Sequence, residues 1–366
     1  AIAGAALSKL RDFTPQNVAN AAWAFAKMGV DAPRLFAAIA DAAQRHLAAT
    51  TSFSNGGDDE EGGEKNTREA AAGAPAPTTR EYDAETPPSD DADAASAATV
   101  VVVVPQQETT TTSCVFSAQT IAMMARAFVT AGVRAPRFFD ALADAALPEL
   151  GDCKPPELAM TVSAFARARV PAPRLFAAIA DVIAARTDEF SPQELTTVAN
   201  AYASVFAGKA DVDAARPLFD AIADAVPRRI AEFKHPQELA NAAWAFAKAG
   251  VDAPGLFAAV ADAAEPNLAR FNSQDLAMTA WAFAKAGVEA PQLFAAISDA
   301  ALSKLHDFNP QSIANTAWAF ATAGVDAPQL FAAIADAAPS RLHEFNPQAI
   351  ANTAWAFATA GVDAPQ

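Results

Sequence analysis

Hydrophobic positions in this chain recur with a helical period inside a larger unit, and the larger unit is 37 residues long. In the first copy Val18, Ala22 and Phe25 are spaced to share one face of a helix. Tryptophan marks the clearest copies at 37-residue intervals: Trp244, Trp281, Trp318 and Trp355. A single unit of this size cannot bury its own apolar face, so the repetition predicts a stacked array.

Each unit predicts two antiparallel helices, here called the first and the second helix of a repeat. The first begins at an N-cap residue followed by Pro, as at Thr14-Pro15. It ends at Gly29 or its equivalent, because Gly adopts the left-handed C-cap conformation without steric cost. Asp-Ala-Pro, residues 31–33 in the first copy, opens the second helix. The chain is therefore predicted to be an all-α solenoid (α-solenoid) of stacked helical hairpins.

Two spacings depart from the repeat and locate insertions. The positions equivalent to the repeat tryptophan give eight copies: Trp23, Arg126, Ser163, Asn200, Trp244, Trp281, Trp318 and Trp355. The fourth interval is 44 residues and the first is 103, which exceeds the repeat by 66. We expect a first repeat over residues 1–47, an insertion over 48–115, and seven further units over 116–366. Neither end carries the polar cap that solenoids need, so we expect the chain to be a fragment of a longer protein.

The insertion is acidic and lacks the composition of a folded domain. Residues 48–115 hold thirteen Asp and Glu against three Lys and Arg, and are rich in Gly, Pro, Ser and Thr. This composition predicts disorder. The insertion supplies most of the formal net charge of −16, a balance that argues against a general binder of polyanions.

Comparison of the copies separates a core position from a surface stripe. The Phe25 position is always aromatic, which predicts core. A second row at offsets of 0, 4, 7 and 11, the polar stripe, holds Gln16, Asn20, Trp23 and Lys27 in the first copy. The tryptophan position of this row also accepts Arg, Ser and Asn, which a sealed core would not tolerate. None of the stripe positions holds an acid, whereas an Asp recurs on the second helices at the Asp41 position.

Candidate chemistry other than binding is sparse. Cys114 and Cys153 have no partner spacing for a disulfide framework or a zinc site, and Cys153 stands where other copies have Phe. The four histidines form no motif with acids or a nucleophile, and no Gly-rich phosphate loop is present. We therefore expect no enzyme, no cofactor, no metal and no small-molecule substrate. The longest apolar run, Val100 to Val104, is far short of the roughly 20 residues that span a membrane.

The repeat unit resembles a known group of proteins. It reads Phe-x-Pro-Gln-x-Leu/Ile-Ala-Asn-x-Ala-Trp-Ala-Phe-Ala and then Gly-Val-x-Ala-Pro-x-Leu-Phe. This pattern, over residues 1–47 and 116–366, is similar to the octotricopeptide and heptatricopeptide repeat families, which are related to FAST-kinase-domain-containing and RAP-domain proteins. The 37-residue period suits the heptatricopeptide class best. The Pro-Pro-Pro-Glu-Trp signature of the octotricopeptide class is absent, the nearest approach is Lys154 to Leu158, and no RAP-domain segment is visible.

The resemblance implies single-stranded RNA binding in mitochondria or plastids, with a role in RNA processing, stability or translation. On this interpretation stripe amides read base edges, tryptophans stack on bases, and Lys or Arg meets phosphates, over about eight nucleotides for eight repeats. The candidate RNA-binding residues are Gln16, Asn20, Trp23, Lys27, Arg126, Arg167, Gln237, Asn241, Trp244, Lys248, Gln274, Trp281, Lys285, Gln311, Asn315, Trp318, Gln348, Asn352 and Trp355.

Three alternatives stay open at this stage. The tryptophans could pack between neighbouring repeats, and the amides could form a hydrogen-bonded ladder between adjacent first helices. The whole array could instead be an armadillo- or HEAT-like scaffold that binds a protein partner and has no RNA role.

Overall fold

The computed structural model of the chain describes residues 2–54, 117–206 and 212–362. Nearly all of the described residues belong to one compact unit, which spans residues 1–51 and 114–366. The predicted disorder of the insertion concerns residues 48–115, most of which lie outside the described residues, so it stays a prediction. The last helix before the insertion continues to Ser54, seven residues past the predicted boundary.

The described residues contain α-helices and short 3-10 turns and no strand. The first helices of the eight repeats are α2 Pro15–Lys27, α4 Ala118–Thr130, α6 Pro155–Ala168, α8 Pro192–Phe206, α10 Pro236–Ala249, α12 Ser273–Ala286, α14 Pro310–Ala323 and α16 Pro347–Ala360. The second helices are α3 Pro33–Ser54, α5 Pro136–Ala146, α7 Pro173–Ala184, α9 Val212–Arg228, α11 Pro254–Ala264, α13 Pro291–Lys304 and α15 Pro328–Ala337. An incomplete second helix, α1 Ile2–Lys9, precedes them. The all-α solenoid of helical hairpins is confirmed.

Local sequence sets the helix ends as predicted. The hydroxyl of Thr14 accepts a hydrogen bond from the backbone N–H of Asn17, which caps α2. Six glycines at the ends of first helices have positive φ. The second helices begin at Pro in most repeats, with Ala at the N-cap. Arg169 occupies the glycine position of α6 and also has positive φ, 54°.

The helices form two layers, because each first helix packs against the next first helix and most second helices against the next second helix. The first-helix layer is the more closely packed of the two. Repeat 1 packs directly on repeat 2, since α2 contacts α4 on the two sides of the insertion. The insertion therefore does not break the stacking of the repeats around it.

Aromatic pairs join the repeats through the core. In each pair a Phe of one second helix meets the aromatic residue of the following first helix edge to face. Ring centroids lie 5.1–5.4 Å apart and the planes cross at 83–89°. The pairs are Phe36–Phe128, Phe139–Phe165, Phe176–Tyr202, Phe219–Phe246, Phe257–Phe283, Phe294–Phe320 and Phe331–Phe357. The predicted core role of the Phe25 position is confirmed, because all eight aromatic residues there are buried.

A basic residue closes several hairpins at the end opposite the glycines. Arg229 Nη1, after α9, donates to the carbonyl oxygens of Thr187 and Phe190 at 3.1 and 2.8 Å. Lys304 donates in the same way to Phe271 O at 2.6 Å, and Arg341 to Phe308 O at 2.7 Å. These bonds satisfy carbonyls just before the first helix of the same repeat. The repeat pattern of the sequence does not predict these hydrogen bonds between a basic side chain and the preceding carbonyls.

Candidate nucleic-acid interface

The polar stripe lies on the face of the first helices that points away from the core. Its glutamines are exposed in every repeat that has one, and its tryptophans are exposed or half-buried. Trp23 and Trp355 keep 44% and 47% of their surface exposed. The expectation that the stripe lies outside the core is therefore confirmed.

The tryptophans of the last repeats contact one another across repeat boundaries. The ring centroids of Trp281 and Trp318 are 6.3 Å apart with planes tilted by 34°, and those of Trp318 and Trp355 are 6.4 Å apart with a tilt of 31°. These rings therefore pack against the tryptophan of the neighbouring repeat and also keep part of their surface exposed. A base inserted between two rings needs about 7 Å, twice the van der Waals contact distance of about 3.5 Å. A base can therefore lie against this Trp ladder but cannot enter it unless a ring moves.

Two stripe lysines lie over the tryptophan one turn earlier. Lys248 Nζ is 4.2 Å from the Trp244 ring centroid, and Lys27 Nζ is 5.1 Å from that of Trp23. These distances are typical of cation–π contacts. The two contacts place a positive charge directly beside an aromatic face, which is the combination that single-stranded nucleic-acid sites use. Burial lowers the pKa of Lys248.

The stripe amides bond to each other and to the next repeat. Gln16 Nε2 donates to Asn20 Oδ1 at 3.1 Å, and Gln311 Nε2 to Asn315 Oδ1 at 2.8 Å. The glutamine oxygens accept from the following repeat, Gln16 from Thr120 Oγ1 at 3.0 Å and Gln311 weakly from Asn346 Nδ2 at 3.4 Å. The inter-repeat ladder is thus present at two glutamines. Asn20 and Asn315 donate no hydrogen bond within the described residues, so their amide N–H groups remain available to a ligand.

Charge is segregated between the two helix layers. The recurrent Asp of the second helices is exposed in every repeat: Asp41, Asp144, Asp181, Asp224, Asp262, Asp299 and Asp336. Arg126, Arg167 and Lys285 are exposed in the stripe. A polyanion would therefore meet less repulsion on the first-helix layer than on the second.

The other chemically notable residues are structural. Burial raises the pKa of the Cys153 thiol to about 11, so the thiolate is disfavoured. His306 and His343 are exposed in the 3-10 turns before α14 and α16. Within the described residues, no three His, Cys, Asp or Glu side chains are grouped to hold a metal ion. None of the described helices is long and apolar enough to cross a membrane.

Comparison with known proteins identifies one family. The model of the RNA-editing substrate-binding complex 6 protein (RESC6) matches residues 109–215 and residues 157–364. The second stretch alone exceeds half of the 366 residues. The chain belongs to the RESC6 family. Residues 157–215 are matched in both stretches, as expected when one model fits a repeat array in more than one register.

The RESC6 match supports an RNA-associated helical-repeat protein and leaves the finer resemblance untested. It does not distinguish the octotricopeptide, heptatricopeptide, FAST-kinase-domain or RAP-domain classes, so the particular class stays a prediction. No curated protein matches the chain.

Proposed function

We propose that this chain binds single-stranded RNA along the polar stripe and acts, without catalysis of its own, in organellar RNA processing. The observation that carries the proposal is the polar stripe itself, one set of positions per hairpin on an exposed face, which holds tryptophan in five of the eight repeats and amides or cations in the other three. No stripe position is acidic, although the chain carries a net charge of −16. Membership of a family named for an RNA-editing substrate-binding complex supports the same function.

Each part of the stripe would have its own task. Bases would lie against the exposed surfaces of the Trp ladder, because stacking tolerates any base. The amide N–H groups of Asn20 and Asn315 would donate to base edges, which supplies sequence preference. Lys and Arg would meet phosphates, and one base per repeat gives a footprint of about eight nucleotides.

A protein-binding role is the alternative, and the exposed Asp row of the second helices favours it. A basic partner could lie on that face, whichever ligand occupies the stripe. We expect such a partner to be additional to RNA, since the two faces are separate helix layers.

The direct test is fluorescence anisotropy of the full chain with short single-stranded RNA pools at several salt concentrations. We expect micromolar or tighter binding that weakens steeply between roughly 50 and 200 mM salt. No binding at low salt would contradict the proposal and leave the protein scaffold as the function.

Tryptophan variants test the placement of the RNA. Trp318→Ala should weaken binding by about 5- to 150-fold, the equivalent of about 1–3 kcal/mol per stacked base. Trp318→Phe keeps an aromatic surface and should lose less. His306→Ala, which changes an exposed turn residue away from the stripe, is the matched control.

The proposed compartment rests only on the resemblance of the repeat unit to organellar repeat families. We propose a mitochondrial or plastid location for the protein. Organelle fractionation with an antibody against the native protein checks this, and exclusive recovery in the nucleus or cytosol would overturn it.

A further inference from the structure

Positive charge is concentrated in repeats 2 and 3. Residues 116–189, which cover these two repeats, hold eight Lys and Arg against eight Asp and Glu, although the chain as a whole is strongly acidic. Residues 271–344, which cover two later repeats of the same fold, hold three against seven. The difference arises mainly at the turns between first and second helices.

A cavity of about 510 Å³ lies at these turns, between repeats 2 and 3. Arg134, Arg167 and Arg169 line it, together with an apolar floor that includes Phe128 and Phe139. All three arginines are exposed, and none forms an ion pair within the described part of the chain. Arg137, next to the lining residue Pro136 at the start of α5, adds a further exposed cation.

The equivalent cavity in the later repeats has the same position and no arginine. Between repeats 6 and 7 it measures about 430 Å³ and carries Glu289, Thr322 and Gly324 at the three equivalent positions. The fold forms this cavity with neutral or acidic residues, so helix packing does not require the three arginines. They add charge to a surface that the repeat already provides.

The backbone conformation of Arg169 also distinguishes this cavity from the equivalent one in the later repeats. Arg169 has a φ of 54°, in the left-handed region where the chain uses Gly at the end of six other first helices. A side chain in this region costs about 1 kcal/mol relative to Gly. An outlier of this kind that persists at an open, charged cavity is a reason to look for a ligand.

We propose that this arginine groove binds the phosphates of the RNA backbone and thereby fixes the register of the RNA on the array. The proposal rests on the proposed RNA-binding function and names the place where the backbone is held. Guanidinium groups suit phosphate oxygens because they donate two parallel hydrogen bonds. Arg167 belongs to both the stripe and the groove, so one strand can contact the two surfaces. Phosphate contacts position a strand without reading its sequence.

The test compares three full-length proteins by anisotropy with one single-stranded RNA across a salt series. The groove variant is R134A/R167T/R169G, which places a small neutral residue at one position and the residues of repeat 7 at the other two. The control variant is R11A/R34A/R45A, which removes the same charge from exposed arginines outside the groove that likewise form no ion pair within the described residues. Melting temperature is measured for each protein, and a poly-Glu peptide is tested as a second probe.

We expect the groove variant to lose about tenfold or more in RNA affinity at low salt, with base preference unchanged. The slope of log K against log salt should become shallower by about 2, since each lost contact on a single strand contributes about 0.7. The control should lose much less on both measures. Because Gly adopts the positive φ of position 169 without steric strain, the groove variant should melt no lower than the wild type.

Different results would contradict the arginine groove and the RNA-binding function separately. A wild type that binds no RNA removes the proposed function itself. A wild type that binds RNA while the groove variant keeps the same affinity and salt slope overturns only the groove. Equal losses in the two variants would mean a general charge effect, and tighter binding of poly-Glu than of RNA would assign the groove to an acidic polypeptide; either result overturns the proposal.

Discussion

At the scale of single residues, the left-handed position of Arg169 makes a stability prediction. Arg169→Gly should raise the free energy of unfolding by about 1 kcal/mol, because Gly adopts this conformation without a Cβ clash. The converse substitution, Gly324→Ala, should lower it by about 1 kcal/mol. An added Cβ at Gly324 would meet no atom within 4 Å, so the backbone conformation alone sets that cost. Urea denaturation followed by circular dichroism measures both changes; a loss of stability in Arg169→Gly would contradict the prediction.

The buried carboxyl of Asp275 predicts a pH dependence. Burial raises the pKa of Asp275, opposed by the hydrogen bond from the backbone N–H of Asn272. The folded state therefore holds the proton more tightly than the unfolded chain, and stability falls as pH rises from about 4 through the folded pKa. Asp275→Asn removes this loss and should be more stable than the wild type at pH 7.

Denaturation of both proteins at several pH values between 4 and 7 checks this. The stability gain of Asp275→Asn should grow with pH and then level off. Asp299→Asn, an exposed residue on a second helix, should change stability by less than about 0.5 kcal/mol. A constant difference between Asp275→Asn and the wild type across the range would rule out the carboxyl as its source.

At the scale of the helix, two aromatic residues of α14 face opposite surfaces and should differ in what they stabilise. Phe320 is fully buried against Phe294, whereas Trp318 is half-buried in the Trp ladder. Phe320→Ala should cost about 3–5 kcal/mol, as large-to-small core substitutions do. Trp318→Ala should cost clearly less and mainly affect RNA binding. Equal destabilisation by the two substitutions would make the ladder chiefly a packing device.

The sequence predicts these helices well because their determinants are local. The Pro at each start, the Gly at each end and the 3.6-residue period depend on neighbours in the chain. The aromatic core position and the exposed stripe are also predicted, because comparison of the eight repeats with one another shows which positions stay apolar and which accept polar residues.

Contacts between distant residues were beyond that reasoning. The bonds from Arg229 and Lys304 to carbonyls more than thirty residues earlier depend on how the hairpin closes. The arginine groove forms only when the turns of two repeats come together. The hydrogen bonds of the stripe glutamines to the next repeat agree with the amide ladder that the sequence left open, but no spacing determines which glutamines form it.

At the scale of the whole molecule, the contact between repeats 1 and 2 predicts that the array does not need residues 55–113. Phe36 and Phe128 already meet at 5.4 Å across the two sides of the insertion. Replacement of 55–113 by a short Gly-Ser linker should leave the melting temperature equal or higher, because a shorter loop costs less entropy to close.

The same deletion should strengthen RNA binding at low salt. It removes most of the chain's net negative charge and therefore reduces repulsion of the RNA. The gain should disappear at high salt, where long-range charge is screened. Weaker RNA binding by the deleted protein would instead assign the insertion a part in recognition.

The uniform aromatic junctions have a consequence for how such a protein changes over time. Every boundary between repeats uses the same pair of rings at nearly the same distance and angle, so any second helix can precede any first helix. An in-frame duplication of the coding sequence for one repeat would therefore yield two compatible junctions and no exposed core. Deletion of one repeat would rejoin its neighbours just as well. Gene recombination could in this way lengthen or shorten the array by whole units while each stripe residue keeps its place.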